Sequence, residues 1–268
     1  MSFKPFLLLF FIFFSVKINA QSTASKQVTK FSLNAPQLDT VKTIWVYLPK
    51  SYQNSEKRYP VVYMHDAQNL FDAESSFVGE WQVDEYLDSL TKNESIIIGI
   101  EHGNDKRIDE LTPYSNEKYG GGNGDRYISF IKDNLKTQID STYRTKPEAE
   151  NTTILGSSLG GLISFYAVVR FPETFGEAGV FSPAFWINPE IYELVSSTDI
   201  AETSKFYFLV GTAEGETMVP NLERMVNLLK SKGVSEKQIK TSIIEGGEHN
   251  EKFWSENFGK AYLWLYSN

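Results

Sequence analysis

Hydrophobic and polar residues alternate along this chain with two different periods, and the switches between them outline a β/α protein. Val28-Thr29-Lys30-Phe31-Ser32-Leu33 and Thr40-Val41-Lys42-Thr43-Ile44-Trp45-Val46-Tyr47-Leu48 alternate with period two, which predicts half-buried, neighbouring strands, the second closed by Pro49. Tyr59 to Asp66 and Ser95 to Glu101 are near-continuous apolar runs, the pattern of strands covered on both faces of a parallel sheet. Further strands are predicted at Thr152–Leu155, Ala178–Ser182, Lys205–Gly211 and Ile239–Ile244. Between them the apolar spacing turns helical: Trp81 to Lys92, Asp125 to about Tyr143, Leu162 to Arg170, Met218 to Lys232 stopped by Gly233, and a C-terminal helix from Glu251 onward. Strands alternating with helices imply βαβ units. The expectation is an α/β protein whose mostly parallel central sheet carries helices on both faces. No internal repeat or domain-splitting linker interrupts the pattern.

The first 20 residues follow a different rule. Lys4 precedes an apolar run, Phe6 to Phe14, and Ile18-Asn19-Ala20 offers a small residue for cleavage before Gln21. That is the layout of a secretory signal peptide. The run is nine residues, against roughly 20 for a membrane span. Residues 21–30 are polar at their start and read as a flexible leader. One domain is expected over 31–268, periplasmic or secreted, with no membrane association after the signal is removed.

Composition narrows the chemistry. The 268 residues suit one α/β domain. A formal charge of −8 without a basic block argues against nucleic acid. With no cysteine, neither a disulfide framework nor a lipid-modified cysteine is available. Aromatic residues make up 14% of the chain, which packing and surface tyrosines account for.

The segment with most chemical content is Gly156-Ser157-Ser158-Leu159-Gly160-Gly161. Gly156-x-Ser158-x-Gly160 lies between a predicted strand and a predicted helix, the setting of a nucleophile elbow. Such a serine sits on a strained turn, and its neighbours two residues away must lack bulk because strand and helix pass closely there. The helix N-terminus directs backbone N–H groups at a developing oxyanion. A serine hydroxyl needs a base, and the base an orienting group. In an open α/β sheet functional groups gather at the carboxyl ends of strands. Past the strand ending at Gly211 stand Glu214 and Glu216; past the strand ending near Ile244 stand Glu248 and His249. Serine, acid, then histidine is the chain order of α/β-hydrolases. Of three histidines, His249 in its glycine-rich loop is the candidate base. His65 reads as a pocket wall and His102 as a solvated or substrate-side residue. Glu214, directly off its strand, is the candidate acid, with Glu216 and Glu248 as competitors. The oxyanion hole is expected from the N–H of Leu159 and that of Ala67 or Gln68. The histidine spacings match no zinc motif.

His65-Asp66-Ala67-Gln68-Asn69-Leu70-Phe71-Asp72, Trp81-Gln82-Val83-Asp84, Gly99-Ile100-Glu101-His102 with Arg107 and Glu110-Leu111-Thr112-Pro113-Tyr114, and the elbow together resemble the esterase family that groups with esterase D, the feruloyl and acetylxylan esterases of carbohydrate esterase family one, and the trilactone siderophore esterases. The resemblance covers nearly everything after residue 40. It implies an α/β-hydrolase fold and a serine esterase. Ser158 would be the nucleophile, His249 the base, and the acid at Glu214, where relatives often carry Asp. Ala67 stands where many relatives have Gly. Arg107, with His65, Asp66 and His102, would be substrate-side. The substrate would be a small-molecule or oligosaccharide ester, such as a siderophore lactone or an acylated polysaccharide, cleaved without metal or organic cofactor. A binding module that kept the fold without the activity, or an acyltransferase using the same site, are the alternatives.

Overall fold

The computed structural model describes residues 22–266; the predicted signal peptide lies outside the described residues. Eight strands form one sheet in the order β1-β2-β4-β3-β5-β6-β7-β8. They are β1 Val28–Ala35, β2 Thr40–Tyr47, β3 Val61–His65, β4 Ile96–Ile100, β5 Thr152–Ser157, β6 Glu177–Phe181, β7 Lys205–Gly211 and β8 Ile239–Ile244. β1 pairs antiparallel with β2 and β2 with β4, while the other pairings are parallel. The two alternating strands at the front are thus the antiparallel edge, and the apolar runs are the buried parallel centre.

The helices are α1 Val83–Asp88, α2 Arg107–Leu111, α3 Gly124–Ser129, α4 Lys136–Thr142, α5 Leu159–Arg170, α6 Glu190–Ser197, α7 Met218–Ser231 and α8 Glu251–Leu265. α3 and α4 are joined by a π-helical stretch, Phe130–Leu135, so the predicted helix over 125–143 is one continuous rod. Two apolar clusters cover the two sheet faces. One joins Tyr63, Ile98, Ile154, Val180 and Phe208 to α5 and α7 through Phe165 and Leu222. The other joins Val62, Met64, Ile97, Leu155 and Leu209 to Trp81, Phe253, Phe258 and Tyr262. The alternate residues of each strand therefore face opposite helix layers, which is why these strands read as unbroken apolar runs.

Three details depart from the periodicity. The helix expected over 81–92 is only α1: Gln82, with a left-handed φ of 55°, delays its start, and it ends at Asp88. α6 lies in a stretch that the sequence pattern left without structure; its short face of Ile191, Tyr192 and Val195 is buried. The stretch read as a leader carries contacts: Ser22 Oγ donates to Asp72 Oδ2 at 2.7 Å, and Ser25 N–H to Asp84 Oδ2 at 2.7 Å. Its last residues, Val28–Lys30, belong to β1. Those carboxylates lie 50 and 59 positions downstream, beyond any local pattern.

Candidate active site

β5 is buried throughout and leads into Ser158, whose φ of 57° and ψ of −116° are strained for a residue with a side chain. Neighbouring backbone holds the strain in place. Ser158 N–H donates to Phe181 O at 2.9 Å, and Ser158 O accepts from Leu162 N–H and Ala184 N–H at 3.1 and 3.0 Å. α5 begins at the next residue. The glycine spacing has its expected cause: a Cβ on Gly156 would lie 2.9 Å from the Gly160 backbone, and one on Gly161 2.7 Å from Phe181 O.

Ser158 lines a cavity of about 310 Å³ with His65, Asp66, His102, Arg107 and His249. His249 Nδ1 lies 2.8 Å from Glu214 Oε2. Glu214 Oε1 accepts from Ser182 Oγ and from Gly211 N–H, each at 2.7 Å. Its side chain is wholly covered, whereas that of His249 is 37% exposed. The carboxylate is fixed and the imidazole can still reach solvent and substrate. Between Ser158 and His249 there is no direct hydrogen bond among the described residues; such bonds often tighten only when substrate arrives. Glu216 and Glu248 are exposed, and Glu248 accepts from Asn250 Nδ2 at 3.1 Å.

The acid and the histidine meet because their loops are laced together. Thr212 N–H donates to Ile244 O and Ala213 N–H to Gly247 O, at 3.0 and 2.9 Å. Gly246 N–H donates to Thr212 Oγ1 at 2.9 Å. A Cβ on Gly211 would stand 2.1 Å from Gly247 O, so no other residue fits that crossing.

Two supporting residues escaped the sequence reading. Trp254 Nε1–H donates to Ser182 Oγ at 2.8 Å, and its ring meets the His249 ring edge-on at 5.0 Å. Ser182, fully buried with a φ of 43°, thus passes the indole's hydrogen bond on to Glu214. Its position directly after β6, at the carboxyl edge of the sheet, was the one available signal.

The turn after β3 supplies the other wall. Asp66 is left-handed at φ 58°, and a 3₁₀ turn, Ala67–Asn69, follows. Asn69 N–H bonds Asp66 O and Leu70 N–H bonds Ala67 O, at 2.9 and 3.2 Å. The first N–H groups of such a turn, here Ala67 and Gln68, have no acceptor within it. The same holds for Leu159 at the start of α5. The turn passes close to the start of α5: a Cβ on Gly160 would lie 3.6 Å from Asp66 Oδ2.

His65 is buried and shares no hydrogen bond with Glu214. Its Nδ1 shares a 2.8 Å hydrogen bond with Tyr127 OH, and its ring packs where a Cβ of Gly156 would be. Burial pushes its pKa down to about 4, so it is uncharged at neutral pH. His102 Nδ1 accepts from Asn104 N–H at 2.9 Å, and burial lowers its pKa as well. Arg107 grips Asp66 with both arms: Nε to Oδ1 at 2.7 Å and Nη2 to Oδ2 at 2.8 Å. Burial raises Asp66, but the guanidinium outweighs it and leaves the carboxyl below its usual value. Lys42 and Glu110, 3% and 5% exposed at their side chains, pair at 2.6 Å beneath this segment. Glu110 also accepts from Gly103 N–H at 3.0 Å, which ties down the loop that carries His102 and Arg107. Among the described residues one acidic group, Glu80, Asp84 and Glu85, brings ligand atoms within 4.8 Å of one another, and it includes none of the histidines.

The site brings a serine on a strained turn and an imidazole backed by a carboxylate to one small cavity. The chain is similar to several known proteins. YbbA of Bacillus subtilis, an uncharacterized protein, is 29% identical over 234 residues, 82% of this chain and 91% of its own length. An endo-1,4-beta-xylanase/feruloyl esterase of Xylanibacter ruminicola is 24% identical over 85% of this chain, which corresponds to 29% of that larger protein. The crystal structure of an IroE-like serine hydrolase from Shewanella oneidensis superposes with a TM-score of 0.69 at 20% identity, covering 89% of this chain and 78% of that one. The profile of the family described as "Putative esterase" matches residues 35–265, and the chain belongs to that family of carboxylic ester hydrolases.

Proposed function

We propose that this esterase works through a covalent acyl–serine intermediate. Ser158 Oγ attacks the ester carbonyl carbon while His249 Nε2 takes the hydroxyl proton. The Glu214 carboxylate accepts from His249 Nδ1–H, fixes the tautomer that leaves Nε2 free to act as base, and stabilises the imidazolium. The tetrahedral oxyanion faces the N–H of Leu159 and that of Ala67 or Gln68. The protonated imidazole then gives its proton to the departing alcohol. Water enters, loses a proton to His249, and releases the acid. The observation that carries this reading is the 2.8 Å contact between His249 and a fully covered Glu214, delivered into the cavity that Ser158 lines.

A cavity of about 310 Å³ receives the ester end of a substrate rather than a whole oligomer. A feruloyl or acetyl group on a polysaccharide and a siderophore lactone both meet that description. We also infer export, with cleavage after Ala20, from the charged and apolar segments at the N-terminus; N-terminal sequencing of the mature protein checks it. The mechanism is tested with p-nitrophenyl acetate and butyrate. Wild-type turnover that disappears in Ser158→Ala is the expected result. Equal turnover in that variant overturns the mechanism.

A further inference from the structure

The charges around the cavity do not balance. Its lining carries one guanidinium, Arg107, and two carboxylates, Asp66 and Glu251. Arg107 is already paired in both directions with Asp66. Glu251, the first residue of α8, makes no ion pair among the described residues; its carboxylate accepts a 3.5 Å bond from Asn69 Nδ2 and one from its own N–H. The histidines do not restore the balance. Burial lowers the pKa of both His65 and His102, against their charged form, and His249 has Glu214 behind it. Burial raises the pKa of Glu251 and the charge of Asp66 adds to that, which its own N–H and the more distant His249 and Arg107 offset only in part.

We propose that Glu251 makes this cavity selective for uncharged carboxylic esters, excluding substrates that carry an anion near the scissile bond. The proposal rests on the esterase mechanism above and specifies its substrate class. Arg107 remains useful to such a substrate. Of the five guanidinium N–H groups, two serve Asp66. The others can donate to a hydroxyl, ether or carbonyl oxygen, while the neighbouring carboxylate cancels the charge that would attract an anion. Leu70, Trp81 and Trp254 supply an apolar wall for the rest of the molecule. A site of this kind disfavours a polyanionic ferric chelate and accepts a neutral acyl sugar.

A unit charge held roughly 10 Å from a second one near a protein surface changes an equilibrium by about tenfold, and salt reduces the effect. The test uses two butyrate esters of equal shape, 3-carbamoylphenyl and 3-carboxyphenyl, assayed at pH 8 and low salt. Each kcat/KM is divided by the alkaline hydrolysis rate of the same ester. The wild type should prefer the neutral ester by about tenfold or more. That ratio should shrink toward unity at high salt, and in Glu251→Gln even at low salt. If wild type does not hydrolyse the neutral ester, the esterase mechanism itself fails. If it does, but the ratio is near unity or persists undiminished in Glu251→Gln, the mechanism stands and the charge filter is overturned.

Discussion

Replacing Glu214 by Gln is the sharpest test of how the site is wired. The substitution keeps the shape of a side chain that is wholly covered, so packing changes little. It alters the hydrogen bonds in a defined way. The oxygen facing Ser182 Oγ–H and Gly211 N–H must remain an acceptor, because both are donors at 2.7 Å. The new NH₂ group is thereby turned toward His249 Nδ1, where Oε2 had been at 2.8 Å. Nδ1 must now accept, so the ring proton moves to Nε2, and Nε2 can no longer take a proton from Ser158. The transition state also loses the attraction between imidazolium and carboxylate. At roughly 4 Å and an effective dielectric constant near 20, that attraction is about 4 kcal/mol, a factor of about 10³ in rate, and the wrong tautomer adds to it. The corresponding acid-to-amide change in a Ser-His-Asp protease costs about 10⁴ in kcat. The expected fall in kcat is therefore 10³ to 10⁴-fold with p-nitrophenyl butyrate, with a melting temperature close to wild type. A fall of less than tenfold in a folded variant, or a larger loss in Glu216→Gln, refutes the assignment.

Three other perturbations follow from the packing. Gly211→Ala drives a methyl group against Gly247 O, so it should separate the acid and histidine loops, destabilise the protein by about 2 kcal/mol or more in urea titration, and lower kcat in the protein that still folds. Glu110→Gln leaves Lys42 buried without its countercharge, for which about 3–5 kcal/mol of lost stability is expected; a loss below 1 kcal/mol contradicts a buried ion pair. His65 is held neutral with a pKa near 4, below its ordinary value near 6.5. The unfolded chain therefore takes up this proton first as the pH falls. Stability from His65 is complete above about pH 6.5 and is lost as the pH drops through about 4, up to roughly 3 kcal/mol. His65→Asn should show a flatter pH dependence of unfolding free energy over that window, and an unchanged slope contradicts the neutral, buried ring.

What the sequence disclosed and what it hid divide along the range of the forces involved. The elbow was legible because Gly156, Ser158 and Gly160 solve a local problem, the close passage of one strand and the helix that follows it. The two-face burial of β3, β4 and β5 was legible from their unbroken apolar runs. Glu214 could be preferred over Glu216 because the offset from β7 is also local, and Glu214 is the one that meets His249. The bonds from Ser182 to Trp254, Lys42 to Glu110 and Asp66 to Arg107 link residues 72, 68 and 41 positions apart. No periodicity encodes such pairs. They are created when the strand order brings distant loops to one edge of the sheet.

That strand order also separates the site into two halves with different tolerances. Ser158, Ser182, Glu214 and His249 follow β5, β6, β7 and β8, four adjacent parallel strands. Backbone hydrogen bonds join successive members: Ser158 N–H to Phe181 O, Ser182 N–H to Leu209 O, and Thr212 N–H to Ile244 O, at 2.9, 2.7 and 3.0 Å. A change in one of these loops is transmitted to the next, because each is part of its neighbour's hydrogen bonding. The turn at 66–69 and the segment with His102 and Arg107 follow β3 and β4 on the other side of the elbow, and side-chain ion pairs add to the backbone bonds that hold them. An ion pair can be exchanged by paired substitutions without moving the backbone. Changes of substrate preference should therefore arise at Asp66 and Arg107, and at Glu251, which lines the cavity without an ion pair, while substitutions at the laced ends of β5 to β8 should reduce turnover of every ester alike.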